Sequence, residues 1–170
     1  MIAIIGLLSA VVFGSLSDAK DKSKEVVTLK EIRSLNEAIF FYELDTSTKF
    51  ECNVGQDCTQ NLLTNPGLSG WEGPYHKLVA HPWGGPITIS RRYSLNFDPD
   101  NPTNRLTLIH LSSGPENKLR IPDDIMLSID KRFDDGVLTT GAVRGVHSQS
   151  VKTFAPGSFS VGEMLIQPEI

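Results

Sequence analysis

The sequence is poor in the groups from which most active sites are built. Cysteine occurs twice, at Cys52 and Cys58, too few for a closed zinc site of four ligands. The four histidines, His76, His81, His110 and His147, are scattered. His76 and His81 stand in a Pro/Gly-rich stretch and not on a helix at metal-binding spacing. No phosphate-cradling loop occurs, because Trp83-Gly-Gly-Pro86 lacks the Lys-Ser/Thr pair that makes such a loop persuasive. A Ser, a His and an Asp can be picked from any chain of this composition, so residue types alone name no triad. Lys and Arg number 16 against 20 Asp and Glu, which leaves no basic surplus for nucleic acid. These shortages point away from an enzyme and towards a structural chain.

Charge is missing altogether from residues 1–16, Met1-Ile-Ala-Ile-Ile-Gly-Leu-Leu-Ser-Ala-Val-Val-Phe-Gly-Ser-Leu16. A spanning helix needs about 20 apolar residues, so this run is slightly short. It suits a buried core helix, a secretory signal peptide, or a transmembrane helix whose beginning is absent. A signal peptide opens with a basic region and closes at a cleavage site followed by a break. Here no basic residue precedes the run, which passes without Pro or a turn cluster into Ser17-Asp-Ala-Lys-Asp-Lys-Ser-Lys-Glu25. Beyond it Val26, Leu29, Ile32, Leu35 (or Asn36), Ile39 and Tyr42 recur at helical spacing, while Lys30, Glu31, Arg33 and Glu37 fall mostly off that stripe. The pattern predicts one helix from residue 1 to about 45, roughly 65 Å long at 1.5 Å per residue. Its first part (1–17) is apolar all round and its second (18–45) amphipathic, so the first wants lipid or other apolar helices and the second a single covering surface.

Residues 46–170 form the expected head, turn-rich because the chain holds ten Pro and 14 Gly. A loop to about residue 70 carries the turn signal Asn65-Pro-Gly67 and both cysteines. Cys52 and Cys58 suit a small disulfide loop if the head lies outside the cytoplasm; two free or unrelated thiols are the alternative. In Trp71-Glu-Gly-Pro-Tyr75 and Pro82-Trp83-Gly84-Gly-Pro86, Pro and Gly fix turns while the aromatic rings offer faces to cover the helix stripe. Ile87–Phe97 and Arg105–Leu111 read as an antiparallel hairpin around Asp98-Pro-Asp-Asn-Pro-Thr103. Asp123 and Asp124 suit the first turn of a short helix through Ile125–Phe133, with Gly136 as its C′ residue. Asp130-Lys-Arg-Phe-Asp-Asp-Gly136 reads as turn-shaping, since its spacing lacks the alternating ligands and distal Glu of an EF-hand. Ser158-Phe-Ser-Val161 and Met164-Leu-Ile166 suit added edge strands.

The apolar run, with Ile2, Ile4, Ile5, Leu7, Leu8, Val11, Val12 and Phe13, resembles the middle of the N-terminal helix of bacterial type IV pilins and type II secretion pseudopilins. The second element, Trp71, Gly73, Pro74 and Tyr75 with Pro82, Trp83 and Gly84, resembles the major pseudopilins, although this chain has His81 where that family has an Asp and Gly85 where it has an Asn. The resemblance implies a pilin-like α+β fold: a long helix packed on a small antiparallel sheet. It implies an N-terminally truncated chain, lacking the leader, the methylated first residue and an early Glu of the mature helix. It further implies a filament subunit of a type II secretion pseudopilus or type IV pilus-like assembly, with other pilin-like subunits, an inner-membrane platform and membrane lipid as partners, its head outside the cytoplasm. In that family the loop corresponding to residues 112–124 binds calcium, which here implicates Glu116, Asn117, Asp123 and Asp124. The helix-start role of Asp123 and Asp124 remains the competing reading. A membrane-anchored extracytoplasmic binding or enzymatic domain is the alternative for the whole chain.

Overall fold

The uncharged run and the stripe behind it contain no proline to interrupt them. In the computed structural model, which describes residues 2–51, 57–93, 105–111, 121–138, 140–146 and 163–166, they form one helix, α1 (Ile2–Thr46), of 45 residues. Its end is built locally. The Thr46 hydroxyl turns back and donates to the Tyr42 carbonyl at 2.6 Å, and Ser47 leaves the helix in the left-handed region at φ 51°. Side chains of residues 1–14 lie outside the described set, so nothing is added to the expectation for Ile2 to Phe13. Among the described residues no helix is long and apolar enough to cross a membrane.

The stripe is deeper than its apolar residues suggest. Leu29, Ile32, Leu35, Ile39 and Tyr42 are all buried, joined by Glu25, Thr28, Ala38 and Thr46. Val26 is a correction, being 59% exposed. At 100° per residue the i−3 and i−4 positions from Leu29 are Val26 and Glu25, and the face that turns inward runs through Glu25.

Against this stripe lies a four-stranded antiparallel sheet of β1 (Ile87–Tyr93), β2 (Arg105–Leu111), β3 (Val143–Val146) and β4 (Glu163–Ile166), in spatial order β1-β2-β4-β3. The expected hairpin is present, with Ile89 opposite Ile109 and Ile87 opposite Leu111. β4 continues the same face, with Ile166 opposite both Ile109 and Val143, and Met164 opposite Leu111. Register therefore places Ile87, Ile89, Ile109, Leu111, Met164, Ile166 and Val143 on one side, in one core with the α1 stripe. Met164-Leu-Ile166 is thus not an edge strand as expected but an inner one; Ser158–Val161 lies outside the described residues.

Two helices complete the head. α2 (Gln60–Leu63), in a stretch expected to be loop, buries Leu62. α3 (Asp123–Phe133) begins after Pro122, carries Asp123 and Asp124 in its first turn and Lys131 and Arg132 in its last, and buries Ile125, Met126, Ile129 and Asp130. Those charges complement the helix dipole at both ends. Gly136 adopts φ 77°, two residues past the C-cap Asp134 and not directly after it as expected.

Candidate assembly surface

Among the described residues, α1 from Glu25 to Thr46 is covered by the head on one side. On the other, Val26, Phe40, Phe41 and Leu44 are 59%, 57%, 51% and 61% exposed. Val26, Arg33, Glu37, Phe40 and Leu44 follow one another at helical spacings of seven, four, three and four, so they form a line along the outer face. The two rings meet edge to face, centroids 5.7 Å apart. Beside them Arg33, Asn36, Glu37, Phe40 and Phe41 of α1 and Arg132 and Phe133 of α3 line an open groove of about 720 Å³. Arg33 sits 6.0 Å from the Phe133 ring centre. Phe40, Phe41 and Leu44 make an exposed apolar cluster beside the charged Arg33 and Glu37, and such a cluster marks a contact surface. Sequence reading missed this row because it followed the apolar positions that spell a core stripe; the signal available was Phe40-Phe41 beside Leu44.

Nearer the start of the covered stretch, a polar clamp joins the two helices. Glu25 Oε1 accepts from Ser128 Oγ at 2.6 Å and lies 3.2 Å from Arg132 Nε. The Glu25 carboxylate is buried and Arg132 half exposed. Next to Glu25 in sequence, Lys24 Nζ lies 5.5 Å from the centre of the Trp83 ring.

One ring of the aromatic motif packs on the α1 stripe. Tyr75 packs edge to face on Tyr42 of the stripe at 5.9 Å and on Trp71 at 5.5 Å. Trp71 Nε1 donates to the Asn61 carbonyl at 3.1 Å, and Tyr75 N donates to the Leu62 carbonyl at 2.8 Å, tying the segment to α2. Burial pushes the phenols of Tyr42 and Tyr75 up. Gly73 precedes a cis Pro74, and a Cβ on it would come within 2.7 Å of the Trp71 ring and 2.8 Å of the Tyr75 ring. In the second half of the motif Trp83 is buried and Gly84 has φ 86°. The buried His81 accepts a hydrogen bond from Trp83 N through Nδ1 at 3.2 Å, while Gly84 N donates to the His81 carbonyl at 2.7 Å. A ring nitrogen here makes the contact that an Asp oxygen makes in an Asx turn, which is why histidine fits a position the resemblance assigns to Asp.

This combination of a one-sided helix, a small antiparallel sheet and a Trp-Tyr bracket has a sequence counterpart. The chain is similar to the Type II secretion system core protein G of Escherichia coli (strain K12), 28% identical over 128 residues, or 74% of this chain and 81% of that protein. The chain is pseudopilin-like. No family model and no solved structure matches it.

Of the remaining site residues that the resemblance implicates, only some lie among the described residues. Asp123 and Asp124 are exposed in the first turn of α3, as the helix-start reading required, while Glu116 and Asn117 lie outside the described residues. Cys58 is buried, its N–H donating to the Ile89 carbonyl at 2.7 Å; Cys52 lies outside the described residues. Carboxylates do gather at the other end of α3, where Asp130, Asp134 and Asp135 bring one oxygen each within 4.8 Å of one another. Asp134 Oδ2 accepts from Ala142 N and, at 3.2 Å, from Val143 N. Asp135 accepts from Val137 N at 2.8 Å and Thr140 Oγ1 at 2.6 Å. The Thr140 hydrogen bond holds its carboxyl below the usual range. Burial pushes Asp130 up to about 6, against the pull of the Gly136 N–H.

Proposed function

We propose that this chain is a structural subunit of a type II secretion pseudopilus or a related pilus-like filament, and not an enzyme. The similarity to a secretion-system core protein supports this reading. The apolar line on the outer side of α1 carries it. A lone helix–sheet head has no use for Val26, Phe40, Phe41 and Leu44 in water, whereas neighbouring subunits would bury them at about 1.5–3 kcal/mol per large side chain. In this reading the apolar end of α1 joins its counterparts in a filament core. Before assembly that end inserts in the inner membrane, beside an assembly platform, with the head outside the cytoplasm. The same proposal includes the Cys52–Cys58 disulfide, suited to that compartment, and calcium at Glu116, Asn117, Asp123 and Asp124.

The test is a Phe40→Ser, Leu44→Ser variant of the full chain, expressed with its partner subunits. Both side chains are exposed, so thermal unfolding should be nearly unchanged. Filament formation, followed by photo-crosslinking from position 41, should be lost. Normal assembly of this variant would overturn the reading.

A further inference from the structure

The turn between α3 and β3 accounts for two of its three acids. Asp134 and Asp135 spend their oxygens on the backbone and hydroxyl donors of residues 137–143, and Gly141, at φ 70°, leaves no room for a side chain beside the Asp134 carboxylate. Asp130 is not explained in this way. It is 0% exposed; one oxygen accepts from Gly136 N at 3.3 Å, and the other, Oδ2, is buried with no hydrogen-bond partner among the described residues. An apolar residue would fill this last turn of α3 at no such cost, because a buried carboxylate without a counterpart is strongly unfavourable.

We propose that Asp130, Asp134 and Asp135 bind a hard divalent cation, calcium by preference. Two oxygens on one calcium ion, each at about 2.4 Å, stand at most about 4.8 Å apart; magnesium at about 2.05 Å sets a tighter limit of about 4.1 Å. The three carboxylate oxygens all lie within 4.8 Å of one another, so each pair is within the calcium limit, and the larger ion asks for the smaller inward movement of the three. Charge agrees with geometry. The buried Arg144 is close enough to feel Asp134 and Asp135, and its Nε is committed to the Gly141 carbonyl at 3.2 Å. Three carboxylates and one guanidinium leave a formal charge of −2, which a divalent ion cancels. Asp130 contributes from the rigid end of α3 and the other two from the turn, so the ion would fasten the turn, and with it the start of β3, to the helix. This site is separate from Glu116, Asn117, Asp123 and Asp124, and it stands whether or not the chain assembles into a filament.

The experiment uses the full chain in detergent, stripped with chelator and then titrated with calcium chloride, with tryptophan fluorescence following thermal unfolding. A site of the 10⁻⁴ M class at 100-fold excess ion should raise Tm by roughly 5–10 °C in a protein of this size. The Asp130→Asn and Asp135→Asn variants should each lose this rise, while an Asp123→Asn, Asp124→Asn double variant keeps it. Without calcium, Asp130→Asn should melt at or above the wild-type temperature, since it removes a buried charge and keeps an acceptor for Gly136. No calcium shift in the wild-type chain, or a shift lost only in the Asp123/Asp124 variant, would overturn the proposal. So would a shift that survives Asp130→Asn.

Discussion

Glu25 allows the linkage between α1 and α3 to be weighed quantitatively. Its carboxylate accepts a short hydrogen bond from Ser128 and faces the half-exposed Arg132. A hydrogen bond to a charged group contributes about 1.5–3 kcal/mol, whereas an ion pair with an exposed partner contributes about 0.2–1 kcal/mol. Truncation to alanine also removes buried methylenes at about 0.8 kcal/mol each. Glu25→Ala should therefore cost about 2.5–5 kcal/mol, or roughly 5–20 °C in Tm for a chain of this length. Guanidinium unfolding of the full chain in detergent, read by tryptophan fluorescence, measures it, since Trp71 and Trp83 both report on the head. Double-mutant cycles then divide the total. Coupling of Glu25 to Ser128 (Ser128→Ala) should exceed its coupling to Arg132 (Arg132→Met), which should stay below about 1 kcal/mol. A loss under about 1 kcal/mol for Glu25→Ala, or a larger coupling to Arg132, would refute this account.

Other perturbations reach different parts of the head. With divalent ions chelated, Asp130 holds its proton more tightly in the folded chain, up to about 6 against 3.8. Stability should therefore fall as pH rises from about 4 to about 6, by at most about 3 kcal/mol, and urea unfolding of Asp130→Asn should lack this fall. Gly73→Ala would press on the Trp71 and Tyr75 rings and should cost about 1–3 kcal/mol, with a changed tryptophan emission. If Cys52 and Cys58 pair as proposed, thiol labelling of the exported, unreduced chain should find no free thiol. Reduction should then lower stability by about 2 kcal/mol, the loop-closure value for so short a loop.

What could be read beforehand follows from how local each signal is. α1 announced itself through a continuous helical period, and β1–β2 through two apolar runs either side of a turn cluster. α3 did so through two acids suited to a first turn and a glycine beyond its end. The seating of β4 between β2 and β3 was hidden, because Met164 and Ile166 meet Leu111 and Ile109 across more than 50 residues of sequence and nothing in a four-residue strand names its neighbours. The inward turn of Glu25 was hidden for a related reason: its partners, Ser128 and Arg132, are over 100 residues away, and a Glu in a charged stretch ordinarily belongs to solvent. The apolar candidate-surface residues were visible as letters, yet only the fold shows which of them the head covers. Asp130 read as one acid of a turn until its burial separated it from its neighbours.

The place where α1 first touches the head has a mechanical meaning. The described side chains from Ser15 to Lys20 are exposed, and contact begins with Lys24 against Trp83 and Glu25 against α3. The stretch before it, residues 2–23, runs for about 33 Å as helix. A rod fixed at one end carries its greatest bending moment at the fixing point. A sideways load on the free end is therefore levered onto one carboxylate, one hydroxyl and one indole ring, and these contacts decide whether the rod flexes as a whole or pivots on its mount.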